Sequence, residues 1–231
     1  MLGREPGFAV KVLRPSASPV ETPPGQGQLL VPLRGAVQVD ERSENATKVT
    51  QTDRRNRSKL LGPGHLWRVA NDAVWSISAA EPDTVLLQVS TSVPRHEHRA
   101  DDLLGAARSR MHMGPRRVFG NEVLRVETSV GRGVLPGVGW VWWDHTSAGA
   151  EYAVILAGAW RARLRGEEGE WTGGLEAGSL LRITPGVAHN FAARTMLRPS
   201  VGLILTSLRR VPRGRVTKES VQGFSPFVDR G

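Results

Sequence analysis

The sequence predicts an all-β protein, a sandwich or barrel module duplicated once, with a short helix between the two copies. Three observations lead there. Glycine and proline are frequent, 26 and 15 of 231 residues, and they punctuate short runs of apolar and β-branched residues. One stretch near the middle breaks that pattern with apolar residues at helical spacing. The runs on either side of it resemble each other in kind and order, as a module duplicated once would.

In the first half the strand-like runs are Gln28 to Val31, Gly35 to Val39, Ala73 to Ile77 and Thr84 to Ser90. The helical stretch is Ala100 to His112, ADDLLGAARSRMH, with acids first and basic residues last, as a helix dipole favours. It follows the polar VPRHEHR segment and precedes an expected loop over Gly114 to Arg117. The expected division is therefore an N-terminal β module over 1–95, a linker over 96–118, a C-terminal β module over 119–210 and a tail over 211–231. The second half repeats the runs at Val123 to Glu127, Tyr152 to Ala157, Trp160 to Leu164, Ser179 to Ile183 and Val201 to Thr206. Glu167, Glu168 and Glu170, with Gly166 and Gly169, read as an exposed hairpin tip. LLVPLRGAVQV, LLGPGHLWRV and DTVLLQVST in one half match YAVILAGAWRARL, LRITPGVAHNF and SVGLILTSL in the other.

Composition excludes several classes. There are no cysteines, which removes disulfides, thiolate metal sites and thiol catalysis together. A cysteine-free chain fits a reducing compartment, and a cytoplasmic location is the expectation. The N-terminus carries no long apolar core of a signal peptide, and no apolar run approaches the ~20 residues that span a bilayer. The net charge of +9 comes mostly from scattered arginines, clustered only near residues 53–59 and 209–215. No aromatic residues interleave with those clusters, so nucleic acid is not an expected partner.

The chemistry-bearing residues sit in GWVWWDHTSAGAEYAVILAG, residues 139–158, and in GSLLRITPGVAHNFAA, residues 178–193. His145 and Glu151 precede an apolar run, and a carboxylate pressed against such a run needs a compensating partner. The second half resembles the cupin superfamily of small jelly-roll barrels. That family's first motif runs G-x5-H-x-H-x3 or x4-E-x6-G. Gly139, His145, Ser147, Glu151 and Gly158 follow its spacing, with Ser147 where the second histidine stands. The second motif runs G-x5-P-x-G-x2-H-x3-N. Gly178, Gly186 and His189 follow it, with Thr184 for the proline and Ala193 for the asparagine. The two motifs cover about a quarter of the chain.

The resemblance implies a jelly-roll barrel in each half and a divalent metal, iron, manganese, nickel or zinc, held by His145, Glu151 and His189. Two imidazoles and a carboxylate match the ligand set of non-haem iron oxygenases, with positions left for substrate. Glu151 is also the candidate catalytic carboxylate. Ser147 is expected to point into the barrel beside His145 by strand alternation. Trp143 shares that face and is expected to line the pocket, while Trp140 and Trp142 pack elsewhere. Tyr152 should point away from Glu151. Metal loss from such barrels is the competing reading, which leaves a metal-free pocket.

In the first half, alignment of Gly35 with Gly158 and of Pro63-Gly64 with Pro185-Gly186 puts Thr22, Pro24, Gln28 and Trp67 at the four ligand positions. No ligand survives there. Trp67 is expected to fill the former cavity, and His65 to be a turn or rim residue. The first barrel's expected role is structural, packed on the other barrel or on a second subunit of a homodimer. His96-Glu97-His98 lies in a polar linker and reads as solvated. The functional expectation is a metal-dependent enzyme on a small organic molecule, of dioxygenase, isomerase or cyclase type. The alternative is a metal-free cupin that binds a small molecule or regulates.

Overall fold

The computed structural model describes residues 3–22, 27–43, 58–69, 71, 73–93, 99–108, 114–131, 145–167, 169–194, 199–209 and 221–224. The chain divides into two compact units, Met1–Leu103 and Leu104–Gly231.

The first unit holds strands β1 (Gly3–Glu5), β2 (Phe8–Leu13), β3 (Val20–Thr22), β4 (Gln28–Arg34), β5 (Val37–Ser43), β6 (Ser58–Leu61), β7 (His65–Val69), β8 (Ala73–Ala79), β9 (Val85–Ser90) and β10 (Arg99–Asp102). They form a six-stranded sheet in the order β1-β2-β9-β4-β7-β10 and a four-stranded sheet in the order β3-β8-β5-β6. The second unit begins with helix α1 (Leu104–Arg108 of a helix that starts at Leu103). Its strands are β11 (Gly114–Gly120), β12 (Leu124–Gly131), β13 (Glu151–Ala157), β14 (Ala159–Gly166), β15 (Gly169–Glu176), β16 (Leu180–Ile183), β17 (Ala188–Ala193), β18 (Ser200–Ser207) and β19 (Val221–Phe224). The orders are β11-β12-β18-β13-β16-β19 and β15-β14-β17.

Strand order thus repeats between the units, and a corner shows it at atomic detail. Gly35 and Gly158 both take positive φ, 63° and 73°, between the paired sheets' strands. A side chain there would meet Thr84 or Ser200. Thr84 Oγ1 donates to the Ala36 carbonyl and Ser200 Oγ to the Ala159 carbonyl, each at 3.1 Å. Glycine adopts that φ most readily, having no Cβ to clash.

Each run read from the sequence overlaps a strand. The sheets, however, do not close into barrels: among the described residues no ladder joins the two sheets of either unit. Side chains join them instead. In the second unit Ala153, Ile155, Leu181 and Ile183 of the large sheet pack with Trp160, Ala162, Leu164 and Leu175 of the small one. Each large aliphatic side chain buried this way contributes roughly 1.5–3 kcal/mol.

Other expectations shift. Among the described residues the helix covers Leu103–Arg108; it does not start at Ala100, because Arg99–Asp102 is taken by the ladder with β7, and residues 109–112 of the expected helix lie outside the described residues. The loop expected over Gly114 to Arg117 is the start of β11, paired with β12. Within the expected tail, β19 pairs with β16. The hairpin tip is placed as read, with Glu170 on β15 joined to Arg165 at 2.7 Å.

The register of the repeat needs one correction. Gln28 pairs with Ser90 and Val69 as Glu151 pairs with Thr206 and Ile183, so Gln28 does match Glu151. Trp67 pairs with Leu30 as Leu181 pairs with Ala153, so Trp67 matches Leu181 and not His189. The counterpart of His189 is Trp75: it pairs with Thr22 as His189 pairs with His145. The alignment failed because Pro63-Gly64 precedes β7, whereas Pro185-Gly186 precedes β17, one strand later. Gly64, Gly178 and Gly186 all have φ near 85°, so the turn chemistry alone could not say which corner was which. Trp67 and Trp75 are both buried in the first unit's core. His65 begins β7, and its ring contacts the Gly62 carbonyl of the preceding turn. Pro24 and His96-Glu97-His98 lie outside the described residues.

Candidate metal centre

Two strands and an isolated bridge of the second unit bring the donors together. Glu151 opens β13 in the large sheet, and His189 lies on β17 in the small sheet. His145 forms an isolated bridge to His189, each backbone amide donating to the other's carbonyl at 3.1 and 2.9 Å. Residues directly opposite across such a bridge put their side chains on one face. The ring centroids are 4.0 Å apart. One ligand-capable atom from each of His145, Glu151 and His189 falls within 4.8 Å of the others.

The immediate surroundings fix these atoms. His189 is buried, and its Nδ1 sits 3.0 Å from the Val187 carbonyl. A carbonyl can only accept, so Nδ1 carries the proton and Nε2 is left to face the site. That Nε2 lies 2.6 Å from Glu151 Oε2, and His145 Nε2 lies 3.9 Å from the same oxygen. Glu151 Oε1 accepts from the Thr206 hydroxyl at 3.0 Å. Oε2 is buried and has no aligned hydrogen-bond donor among the described residues; the His189 contact is close without that geometry. Burial acts to raise the Glu151 carboxyl pKa. The contact with His189, that ring's charge, the Thr206 hydroxyl and the charge of His145 outweigh it and hold the pKa below its ordinary value.

The donor set fits a divalent first-row metal. Two imidazoles, one carboxylate, a fixed tautomer and an oxygen without an aligned donor are what such a site requires. His145, Glu151 and His189 would hold it.

The site opens on a cavity of about 650 Å³. Ala153, Ile155, Trp160, Phe191 and Ile204 give it apolar walls. Ser147 lines it too, but not from a strand: residues 146–148 are irregular, so alternation does not govern them. The Ser147 carbonyl accepts from Gly186 at 3.0 Å, and its hydroxyl accepts from Gly149 at 3.4 Å. Tyr152 points away as expected, buried, with its hydroxyl accepting from Arg182 Nε at 3.2 Å. Trp143, like Trp140 and Trp142, lies outside the described residues.

Among the lining residues that sequence reasoning missed are Thr206 of β18 and Arg125 and Glu127 of β12. Arg125 and Glu127 lie on one strand face. They form an ion pair at 3.3 Å. The signal was present: Leu124, Val126 and Thr128 are buried on one face, so Arg125, Glu127 and Ser129 share the other. A polar strand face reads as solvent-facing unless a second sheet covers it.

No family model matches the sequence, and no curated protein matches it. Solved structures do. A cupin 2 conserved barrel domain protein from Leptotrichia buccalis is 11% identical, with a TM-score of 0.67 over 88% of this chain and 85% of that one. AerE from Microcystis aeruginosa is 15% identical, with a TM-score of 0.54 over 87% of each chain. An 11S globulin from Wrightia tinctoria is 9% identical, with a TM-score of 0.55 over 94% of this chain and 77% of that one. At such identities the likeness shows the fold, which is that of cupin-barrel proteins. No helix among the described residues is long and apolar enough to cross a membrane.

Proposed function

We propose that the second unit is a divalent-metal-dependent enzyme acting on a small organic molecule, of dioxygenase, isomerase or cyclase type. The observation that carries this reading is the convergence of His145, Glu151 and His189 within 4.8 Å at an apolar cavity. When bound, the metal would supply Lewis-acid or oxygen-activating chemistry.

The chain's own residues have separable tasks. Val187 fixes the His189 tautomer, and Thr206 anchors Oε1 of Glu151 so that Oε2 faces the imidazoles. Glu151 remains the candidate catalytic carboxylate, since Oε2 is its atom nearest the site. The apolar walls lower the local dielectric and exclude water, which strengthens each polar contact to a bound molecule. Ser147, on the cavity lining, leaves open a position that the family pattern fills with histidine.

One observation favours the second reading, a metal-free pocket. The 2.6 Å contact is the distance of an imidazolium–carboxylate ion pair, which needs no metal. Metal analysis decides between them. Protein purified without chelator or histidine tag should carry a stoichiometric divalent metal, and His189→Ala should not. Wild type that stays metal-free in excess Fe(II), Mn(II), Ni(II) and Zn(II), with its fold intact, leaves the ligand-binding reading.

A further inference from the structure

We infer that the cavity takes a small organic acid, with Arg125 receiving its carboxylate. The inference deepens the metal-enzyme reading and rests on it for the charge balance and for where the other end of the molecule lies.

Arg125 stands in a row with the metal ligands. It pairs with Thr206 across β12 and β18, and Thr206 pairs with Glu151 across β18 and β13. Residues opposite each other in adjacent strands project from the same face, so all three line one wall of the cavity. Strands lie ~4.8 Å apart, which sets the Arg125 and Glu151 backbones about 10 Å apart. A guanidinium at one end and a triad of metal-ligating atoms at the other bracket a molecule of about one ring's length. Thr206 lies between them in that row. Ile155, Trp160, Phe191 and Ile204 line the same cavity and suit an apolar or aromatic body.

The Arg125 side chain is held yet not used up. Its Nε faces Glu127 Oε2 at 3.3 Å, an ion pair without hydrogen-bond alignment, and a guanidinium has five N–H donors. Glu127 therefore attracts the fork by charge without using up its donors, and these suit a planar carboxylate. Charge points the same way. Glu127 offsets Arg125, and a divalent cation with two neutral imidazoles exceeds Glu151 by one positive charge. A monoanion makes the cavity neutral; a neutral molecule does not. Trp160 adds a donor that awaits an acceptor, since its buried Nε1 has no hydrogen-bond partner among the described residues.

The test uses the full chain, loaded with Mn(II), and two probes of nearly equal shape, 4-hydroxybenzoate and 4-hydroxybenzamide, titrated by calorimetry. The acid should bind at least tenfold tighter than the amide to wild type. Arg125→Gln should abolish that preference by weakening the acid alone, and Arg125→Lys should keep part of it. Melting curves check that the variants fold, and the wild-type comparison of acid with amide stands without any variant. Equal binding of acid and amide, no binding of either, or an acid preference that survives Arg125→Gln in a folded protein overturns the inference. The metal reading is scored separately, by metal content. If the protein takes up no metal, the same titrations are run on the metal-free chain. An Arg125-dependent acid preference there sustains the inference while the metal reading falls, and its absence ends both.

Discussion

His145 and His189 meet as a mutual backbone pair, so the sheet itself sets the distance between their rings. Two imidazoles that belong to residues 44 apart in sequence are thereby presented to one carboxylate without relying on side-chain flexibility. The hydroxyl of Thr206 then anchors that carboxylate, Glu151, from the neighbouring strand. Partners of this kind orient ligands, and losing one typically costs 10–100-fold in metal affinity.

Thr206→Val keeps the β-branched shape of the strand residue and removes that donor. Metal affinity should fall by about 10–100-fold while the unfolding free energy of the metal-free protein falls by no more than a lost buried hydrogen bond costs, about 1–3 kcal/mol. Metal titration of wild type and variant measures it. An unchanged affinity would show that Glu151 needs no anchoring.

Ser147→His restores the missing member of the family pattern at a residue already lining the cavity. Metal affinity should rise at least tenfold, and turnover, once a substrate is in hand, should fall because the new ring occupies a substrate position. Unchanged metal affinity would mean that the irregular segment at 146–148 aims the side chain away from the triad.

The pH dependence follows from Glu151. Its pKa is depressed in the folded protein by His189, Thr206 and His145 against the opposing effect of burial. A depressed carboxyl stabilises the fold fully above its unfolded value, ~4.3, and that contribution is lost as the pH falls through the lower folded value. The metal-free wild type should therefore lose more melting temperature than metal-free Glu151→Gln between about pH 5 and pH 3. Equal losses across that window would contradict the assignment.

Trp75 is the first unit's replacement for His189, and it fills core volume with Val37, Val39 and Ile77. Trp75→Ala should cost about 3–5 kcal/mol of stability by denaturant unfolding. A cost under about 1 kcal/mol would mean that the ring does not support that core.

Much of the fold was legible because apolar runs in the central strands are unmistakable: β4, β9, β13 and β18 are buried along nearly their whole length. The edges were not. β15, GEWTGGLE, is mostly exposed, so no periodicity marks it, and β10 and β19 gain their order from the ladders with β7 and β16. The grouping of His145, Glu151 and His189 was legible because the three fall at a fixed spacing around two turns. Arg125 and Glu127 escaped, since only the tertiary fold shows that their strand face lines a cavity. Trp75 escaped because three glycine turns with the same φ offered more than one register.

The central claim is that His145, Glu151 and His189 form one metal site. The most direct measurement is metal content per chain, by elemental analysis, for untagged wild type and for His145→Ala, Glu151→Gln and His189→Ala, each checked for folding. The account predicts one divalent metal per wild-type chain and its loss in all three variants. Metal retained in folded His189→Ala and Glu151→Gln, or wild type that takes up none in excess metal, would contradict it.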